Sequence, residues 1–217
     1  MRLIDQSVEI LTELDTAKIM QSIELYGRTC YKSEGRITDG SANAFVSRII
    51  ASGHESVIEH ISLSARFITN RGVTHELVRH RIGSYSQEST RYCNYGSEDI
   101  TYIIPVWLHI EPGIYDCDNG VGDLICAERV WMEAMLESEV NYNTLINLGW
   151  KPQQAREVLP NSLKTDIVVT FNLREWRHFF KLRTSKAAHP QMRAIALDLL
   201  RQMKVKLPII FNDIRED

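Results

Sequence analysis

The stretch from residue 71 to residue 91 gathers side chains that bind anions. It holds four arginines and two histidines against two glutamates. Arginine forks hold planar anions, such as a phosphate or a deprotonated imide, through paired hydrogen bonds. Arg79, His80 and Arg81 are consecutive, so they point in different directions and cannot form one solvent-facing stripe. Small hydroxyl-bearing residues follow them, which is typical of a loop that wraps a ligand.

A second basic segment spans residues 172–193, where four arginines, two lysines and two histidines stand against one glutamate. On a helix, Arg174, His178 and Lys181 share one face at i, i+4 and i+7. Arg183 lies on another face among aromatic residues, and a buried arginine needs a partner. A run of charge more often marks a solvated helix face. The spacing alone therefore leaves a ligand site and a solvated face as equal alternatives.

Other catalytic motifs are not supported by the spacing of their residues. His54 and His60 are six residues apart, about 600° around a helix, so they do not form the paired ligands of a zinc hydrolase. The four cysteines match no zinc module. No dinucleotide-binding glycine fingerprint, phosphate-binding loop or serine-hydrolase elbow occurs. We therefore expect no metal site.

Two alternating segments, residues 61–69 and 166–171, predict half-buried strands, each of which leads into a basic helix. Thr74 is the expected cap of the helix after the first strand. Asn172, with Glu175 three residues later, resembles a capping box at the start of the second helix. These two strand-to-helix junctions would position the basic side chains.

The remaining elements complete a single predicted α+β domain over residues 1–217, with a twisted, largely antiparallel sheet flanked by helices. A strand is expected within residues 7–13, and residues 95–120 form a long excursion with one short strand. Further helices are predicted from Asp15 to a stop at Gly27, over residues 41–52 and 124–148, from Pro152 to before Pro160, and from Pro190 to before Pro208.

Composition restricts the classes of partner. The 217 residues are 44% hydrophobic and 24% charged, with a net charge of -3, which disfavours a uniformly basic nucleic-acid binder. There is no run of 18 apolar residues and no apolar leader, so we expect neither a membrane span nor a signal peptide. The sequence therefore predicts a cytoplasmic protein that binds neither nucleic acid nor membrane.

The first basic segment also resembles a known family. Arg79-His80-Arg81, followed after seven residues by Ser89 and then by Arg91, is similar to the RHR-x7-S-x-R signature of flavin-dependent thymidylate synthases. The segments GHESVIEH, QAREVLP, NLREWRHFFKLR and AAHPQMR look like family segments in family order. The resemblance covers most of the chain, whereas residues 95–120 and the two ends are less diagnostic.

This resemblance implies an FAD-dependent methyltransferase that converts dUMP to dTMP in nucleotide biosynthesis. Methylenetetrahydrofolate would supply the carbon and NADPH the electrons, as co-substrates, while FAD mediates the reduction. The implied fold is α+β. The implied assembly is a homotetramer with active sites between subunits.

The resemblance also assigns residues. The implied cofactor-binding residues are Ser56, Arg79, His80, Arg81, Gln87, Asn172, Arg174 and His178, with His54 as a neighbour of folate or flavin. The implied substrate-binding residues are Glu76, Arg79, Gln87, Ser89, Arg91, Arg156 and Arg183. Arg183 and Ser89 are the implied catalytic residues, and no metal is implied.

The residue types suit these roles. Ser89, Arg91 and Arg156 can hold a phosphate. Arginine does not lose its proton in proteins, so Arg183 would stabilise the uracil ring ionised at N3 rather than act as a base. Ser89 would bind and polarise the nucleotide, since no histidine stands at an activating spacing.

Four positions depart from the frequent family residues. Ser86 and Gln87 stand where asparagine and glutamate are common, and Ser56 and Glu76 stand where threonine and glutamine are common. A rival reading is an RNA- or phosphate-binding module that uses Arg174, Arg177 and Lys181. The aromatic residues of the same helix look more like core than like a base-stacking platform.

Overall fold

The computed structural model describes residues 1–96, 99–116 and 126–216. Strands are β1 (Arg2–Ile4), β2 (Ser7–Ile10), β3 (Ser62–Asn70), β4 (Ser84–Gln87), β5 (Thr101–Ile103), β6 (Gly113–Ile114) and β7 (Lys164–Asn172). Helices are α1 (Thr16–Thr29), α2 (Ser41–Ala51), α3 (Arg71–Leu77), α4 (Cys126–Asn147), α5 (Pro152–Ala155), α6 (Leu173–Arg183), α7 (Pro190–Lys206) and α8 (Pro208–Phe211). Short 3₁₀ turns cover Glu34–Arg36, Glu55–His60 and Arg156–Val158.

The strands form two sheets. One has the order β2-β3-β7-β4, and the other has the order β5-β1-β6. In the smaller sheet, β1 pairs in parallel with β5 and antiparallel with β6. Side chains alternate between buried and half-buried along β3 and β7, as a pleated strand with one core face requires. The predicted α+β class is confirmed.

The chain contains two compact units that interleave along the sequence. The first unit comprises residues 1–7, 67–79 and 86–167, and the second comprises residues 8–66, 80–85 and 168–217. The division between Tyr85 and Ser86 falls inside the basic motif of residues 79–91.

In the second unit the core is built around α6. Trp176, Phe179 and Phe180 are fully buried, as their helical spacing predicts. The indole Nε1 of Trp176 donates to the carbonyl of Leu63 on β3 at 3.1 Å, which ties the helix to the sheet. These rings contact each other and Phe171 at centroid distances of 4.7–6.2 Å. They form core rather than a surface for stacking bases.

Two predicted helix boundaries are wrong. Gly27 does not stop α1, which continues to Thr29. A Cβ at Gly27 would lie 2.6 Å from the ring of Phe45, so this glycine allows α1 and α2 to pack closely. Thr74 lies inside α3 rather than at its start, and Asn70 is the N-cap, accepting from the backbone N–H of Val73 at 2.9 Å.

In the first unit the core lies around β1, β5 and α4, with Leu3, Tyr102, Met132 and Tyr142 fully buried. The amino group of Met1 forms an ion pair with Glu139 at 2.7 Å, which holds β1 against α4. The predicted excursion holds two short strands, β5 and β6, in its described part, rather than one. Residues 97–98 and 117–120 of it, and the predicted start of α4 at Leu124, lie outside the described residues.

The remaining predicted elements agree with the structure. Asp15 caps α1 by accepting from the backbone N–H of Lys18 at 3.0 Å. Gly53 follows α2 and Gly149 follows α4, both at positive φ. Pro152 and Pro190 begin α5 and α7. Throughout the described ranges, every helix is too short or too polar to cross a bilayer.

Candidate active site

A chain of hydrogen bonds joins the basic motif to helix α6 in the second unit. The guanidinium Nε of Arg183 donates to Nε2 of His80 at 3.1 Å. On the other side of the ring, Nδ1 of His80 lies 2.9 Å from Oε1 of Glu175. An arginine cannot accept a hydrogen bond, so Nε2 carries the lone pair and Nδ1 carries the proton. His80 is therefore a neutral ring that donates to Glu175 and accepts from Arg183.

The surroundings fix the position of this ring. His80 is buried, and the rings of Phe171 and Phe179 lie 6.0 and 5.1 Å from it, centroid to centroid. The hydroxyl of Tyr85 donates to the backbone carbonyl of His80. Burial, together with the negative charge of Glu175, raises the pKa of Tyr85 to about 12, so this hydroxyl keeps its proton at neutral pH.

The segment carrying His80 passes very close to β7. A Cβ placed on Gly83 would lie 2.2 Å from the ring of Phe171 and 3.1 Å from the backbone oxygen of Thr170. Those distances leave no room for any side chain at position 83. Glycine is thus required at position 83 for this segment to pass so close to β7.

The environment favours the neutral form of His80. Burial lowers its pKa, and the cation of Arg183 and the neighbouring ring of His178 act in the same direction. Glu175 opposes them through its hydrogen bond and its charge, and the net pKa remains below the ordinary value of 6.5. The low pKa agrees with the tautomer that the hydrogen bonds require.

His80, Glu175 and His178 could also be considered as metal ligands, since they offer ligand atoms within 4.8 Å of one another. However, Nε2 of His80 already accepts from a cation, and Nδ1 faces the carboxylate. A metal bound to His80 would have to replace one of these partners. We therefore interpret His80 and Glu175 as members of a hydrogen-bonded chain with Arg183 rather than as metal ligands.

Helix α6 begins at the strand end, as predicted, but not with a full capping box. Asn172 Oδ1 accepts from the backbone N–H of Glu175 at 2.9 Å. The carboxylate of Glu175 does not complete the box: it turns to His80 instead. A partner for the Nδ1–H of the buried imidazole takes precedence over a second capping bond at the start of α6.

Two cavities in the second unit are lined by four of the eight predicted cofactor-binding residues. A cavity of ≈ 560 Å³ is lined by Asn172, Arg174, His178 and Lys181, together with Glu55, Glu59, Ile82 and Glu175. A cavity of ≈ 360 Å³ is lined by His54 and Ser56, among others, and Arg174 borders both cavities. Arg174 forms an ion pair with Glu59 at the surface.

This donor set fits a large anionic cofactor such as FAD. Arg174, His178 and Lys181 offer cationic or hydrogen-bonding groups to a phosphate, and Ser56 adds a hydroxyl. Arg81 is exposed, whereas both ring nitrogens of His80 are engaged within the protein. A cofactor contact from His80 would therefore use its ring face or its backbone. The cofactor-binding assignments stay predictions.

Arg177 has a different role from the one that the nucleic-acid reading needs. Its side chain is buried, with Nε 2.8 Å from Glu55 and Nη2 2.6 Å from Asp213. Nη1 also donates to the backbone carbonyl of Ile210. The guanidinium ties α6 to the C-terminal segment and is not available for a nucleic-acid phosphate.

In the first unit, Gln87 explains a departure from the family pattern. Its Nε2 donates to the hydroxyls of Thr74 at 3.0 Å and Thr165 at 3.2 Å. Thr74 uses its own proton on the carbonyl of Arg71, and Thr165 also accepts from the Arg71 guanidinium. The Thr74 hydroxyl has thus already used its proton and needs a donor, which glutamine supplies and an ionised glutamate cannot.

The predicted phosphate-binding residues also lie in the first unit. Arg156 Nη1 donates to the hydroxyl of Thr90 at 3.2 Å, which brings it beside the segment of Ser89 and Arg91. The Ser89 hydroxyl accepts from the backbone N–H of Arg91 at 3.3 Å and shapes this turn. The Arg91 side chain is exposed. This arrangement offers two guanidinium groups and hydroxyls to an anion.

The other predicted nucleotide contacts are Glu76, half-buried in α3, and Arg79, exposed after α3.

Sequence reasoning missed the role of Glu175 and the threonine partners of Gln87. A signal for Glu175 existed, because it is the one carboxylate in the basic segment 172–193. The threonines gave no such signal, since residues 74 and 165 are brought together by the fold.

The sequence is similar to those of curated enzymes. It is 34% identical to the flavin-dependent thymidylate synthase of Geobacter sulfurreducens, over 88% of this chain and 80% of that protein. It is 35% identical to the enzyme of the same name from Mycobacterium tuberculosis, over 88% and 78%. The Corynebacterium glutamicum enzyme of that name is 32% identical, over 95% and 83%.

A solved structure supports the fold. The UMP/dUMP methylase PolB from Streptomyces cacaoi, bound with 5-Br dUMP, superposes with a TM-score of 0.76 over 98% of this chain and 96% of that one. At 21% identity this likeness concerns the fold. The model of the Thy1 family, described as thymidylate synthase complementing protein, matches residues 14–209. The chain therefore belongs to the Thy1 family of flavin-dependent thymidylate synthases, as the motif of residues 79–91 predicted.

Proposed function

We propose that this protein converts dUMP to dTMP, with methylenetetrahydrofolate as carbon donor, FAD as cofactor and NADPH as electron source. The observation that carries the proposal is Arg183, a guanidinium held at a fixed position by His80 of the family motif. Methylation at C5 of uracil requires that carbon to become nucleophilic. A fixed cation beside the ring can promote this by stabilising charge on the ring.

The proposed nucleotide site uses residues of three kinds. Arg91, Arg156 and Ser89 bind the phosphate through charge-assisted hydrogen bonds. Glu76, Arg79 and Gln87 contact the nucleoside, with Gln87 restricted by its two threonine partners. Arg183 stabilises the anion formed by ionisation of uracil N3, which increases the nucleophilicity of C5.

The proposed FAD site uses Arg174, Asn172, His178 and Ser56 at the two cavities, with Arg79, Arg81, Gln87 and the backbone or ring face of His80. Bound FAD would supply the reducing equivalents that turn the transferred methylene carbon into a methyl group. The protein groups bind and orient. The ion pair of Arg174 with Glu59 would have to open for Arg174 to contact a phosphate.

The decisive experiment is release of tritium from C5-labelled dUMP with FAD, NADPH and methylenetetrahydrofolate. We expect dTMP and tritiated water in equal amounts, with each omission abolishing the product. We also expect dUMP to perturb the absorption spectrum of bound FAD. The proposal would be refuted if the protein bound no flavin under any of the conditions tested.

Two further parts of the proposal concern assembly and location. The protein would act as a homotetramer with active sites between subunits, in the cytoplasm. Light scattering of the FAD-bound protein tests the assembly, for which a mass of four chains is expected. Mixing Arg183→Gln with Arg91→Gln protein should restore activity if one active site draws these residues from two subunits.

A further inference from the structure

We propose that Glu175 and His80 form a positioning pair that orients Arg183, an inference that rests on the proposed role of Arg183 toward uracil. The hydrogen-bond chain runs from the Arg183 Nε–H to His80 Nε2, and from the His80 Nδ1–H to Glu175 Oε1, at 3.1 and 2.9 Å. Each bond determines the direction of the next. Glu175 thereby selects the tautomer that Arg183 needs.

The direction of the chain matters because only one tautomer works. If the proton sat on Nε2, it would point at the Arg183 N–H and the bond would be lost. Glu175 accepts from Nδ1 and prevents this. The same logic holds wherever a carboxylate sets the tautomer and orientation of a histidine that serves another group.

The neutral ring also orients Arg183 without placing a negative charge at Nε. A carboxylate in direct contact with Nε would orient the guanidinium but would cancel much of its field. The imidazole holds Nε without adding a negative charge at that contact, and Glu175 lies one ring farther away. Orientation and charge are thus supplied by separate residues.

The structure makes the ring a rigid link. Phe171 and Phe179 flank it, and Tyr85 holds its backbone carbonyl. Helix α6 carries Glu175 in its first turn and Arg183 in its last turn, and both point to the same ring. Among the described residues, Glu175, Arg183 and His178 are the ionisable groups that shift the pKa of His80, and Tyr85 contacts its backbone.

The first test reads the tautomer directly. Long-range ¹H–¹⁵N correlation spectra of the histidine side chains of the full chain at pH 7.5 should show His80 as a neutral ring protonated on Nδ1. The signal is assigned by its loss in His80→Gln. Protonation on Nε2, or a doubly protonated ring at this pH, would overturn the proposal.

The second test uses two substitutions with opposite effects. Arg183→Gln removes a neighbouring cation and should raise the pKa of His80, whereas Glu175→Gln removes a carboxylate and should lower it. Glu216→Gln is the matched control, since it makes the same change at a carboxylate paired with Arg201 and Lys204. It should leave the His80 signal unchanged. If the pKa of His80 shifted in the same direction in both variants, the proposed hydrogen-bond chain would be refuted.

The third test separates positioning from the reaction itself. At saturating FAD, Glu175→Gln should lower kcat for dUMP methylation by about 10-fold, the lower end of what orienting partners contribute elsewhere, with KM for dUMP nearly unchanged. An unchanged kcat in an active enzyme would refute the positioning role. If the tautomer is as expected but no variant or wild-type protein methylates dUMP, the proposed function fails while the hydrogen-bond chain stands.

Discussion

Arg177 and Arg183 lie on the same helix but in opposite electrostatic settings. Arg177 is 1% exposed and contacts two carboxylates and a backbone carbonyl. Arg183 is half-buried, and its Nε contacts a neutral imidazole. The two carboxylates neutralise the Arg177 guanidinium, whereas the imidazole orients Arg183 through its Nε. In the sequence, Arg183 lay among aromatic residues and was expected to need a partner, whereas Arg177 was interpreted only as a cation of the basic helix.

The difference shows how a helix can separate stability from chemistry. A buried cation with carboxylate partners resists removal, because its loss leaves uncompensated negative charge. A cation that is oriented by a neutral group keeps a field that can act on a substrate. Substituting the two arginines should therefore produce different kinds of damage.

The largest effect is expected for Arg183→Gln. Loss of one preorganised group that stabilises developing charge costs about 100- to 1000-fold in rate. We expect kcat for dTMP formation to fall by that factor, measured by tritium release. The free energy of unfolding in urea should change by less than about 1 kcal/mol. A loss of stability as large as that of an Arg177 variant would erase the distinction.

Arg177→Met should mainly lower the free energy of unfolding. Removing one partner of a buried ion pair costs about 3–5 kcal/mol, and we expect a value near 3 because the Asp213 side chain is 49% exposed. Urea denaturation measures the loss. Flavin binding per folded molecule should persist.

Lys181→Gln is the control for Arg177→Met, since Lys181 also contacts Glu55, at 3.4 Å, but from an exposed position. Its effect should stay within about 0.5 kcal/mol. A loss of stability equal to that of Arg177→Met would show that the number of charges, rather than their burial, determines the effect.

The two settings should also respond to different ranges of pH. The pKa of His80 in the folded state is below its unfolded value of 6.5, so the unfolded chain binds the proton first as pH falls. Protonation of the unfolded chain therefore lowers the free energy of unfolding once the pH falls below 6.5. For Asp213 the hydrogen bond and charge of Arg177 lower the pKa, and for Glu55 they outweigh burial. The stability from these carboxylates is present above their unfolded values of 3.8 and 4.5 and is lost below them.

Urea unfolding at pH 7.5, 5.5 and 3.5 can separate these ranges. The difference between wild type and His80→Gln should shrink by at most about 1.4 kcal/mol per pH unit between 6.5 and 5.5. The difference between wild type and Arg177→Met should shrink only near pH 4. If both differences shrank over the same pH range, the stability contributions of His80 and Arg177 would not be independent.

A smaller effect is expected at the start of the helix that carries both arginines. Asn172→Ala removes the N-cap of α6 and should lower the free energy of unfolding by about 1 kcal/mol. Asn70→Ala, which removes the corresponding cap of α3, should cost a similar amount. Only Asn172→Ala should broaden the His80 signal; equal broadening in both variants would mean that the caps act globally.

Sequence patterns predicted those features that depend on neighbouring residues. Alternation identified β3 and β7, and helical spacing placed Trp176 and Phe180 in the core. The family motif led to the correct family. A Glu three residues after Asn172 gave a reasonable capping box, yet Glu175 found a stronger partner 95 residues away. Such a contact exists only after folding and leaves no trace in local spacing.

The same limit explains Arg177 and Gln87. Burial of Arg177 depends on Asp213, 36 residues away, so its position in a basic run suggested exposure instead. Gln87 looked like a weakened copy of a family glutamate until its two threonine acceptors were visible. Departures from a motif can thus reflect compensation in the surrounding fold rather than loss of function.

Gly83 has a consequence for how this gene can vary. A Cβ at this position would overlap the ring of Phe171, and every other amino acid carries a Cβ. No missense change at codon 83 is therefore sterically neutral on its own. Drift at this site must wait for a smaller residue at position 171, and that ring also packs against His80. The two codons are coupled, so they are expected to change together or not at all.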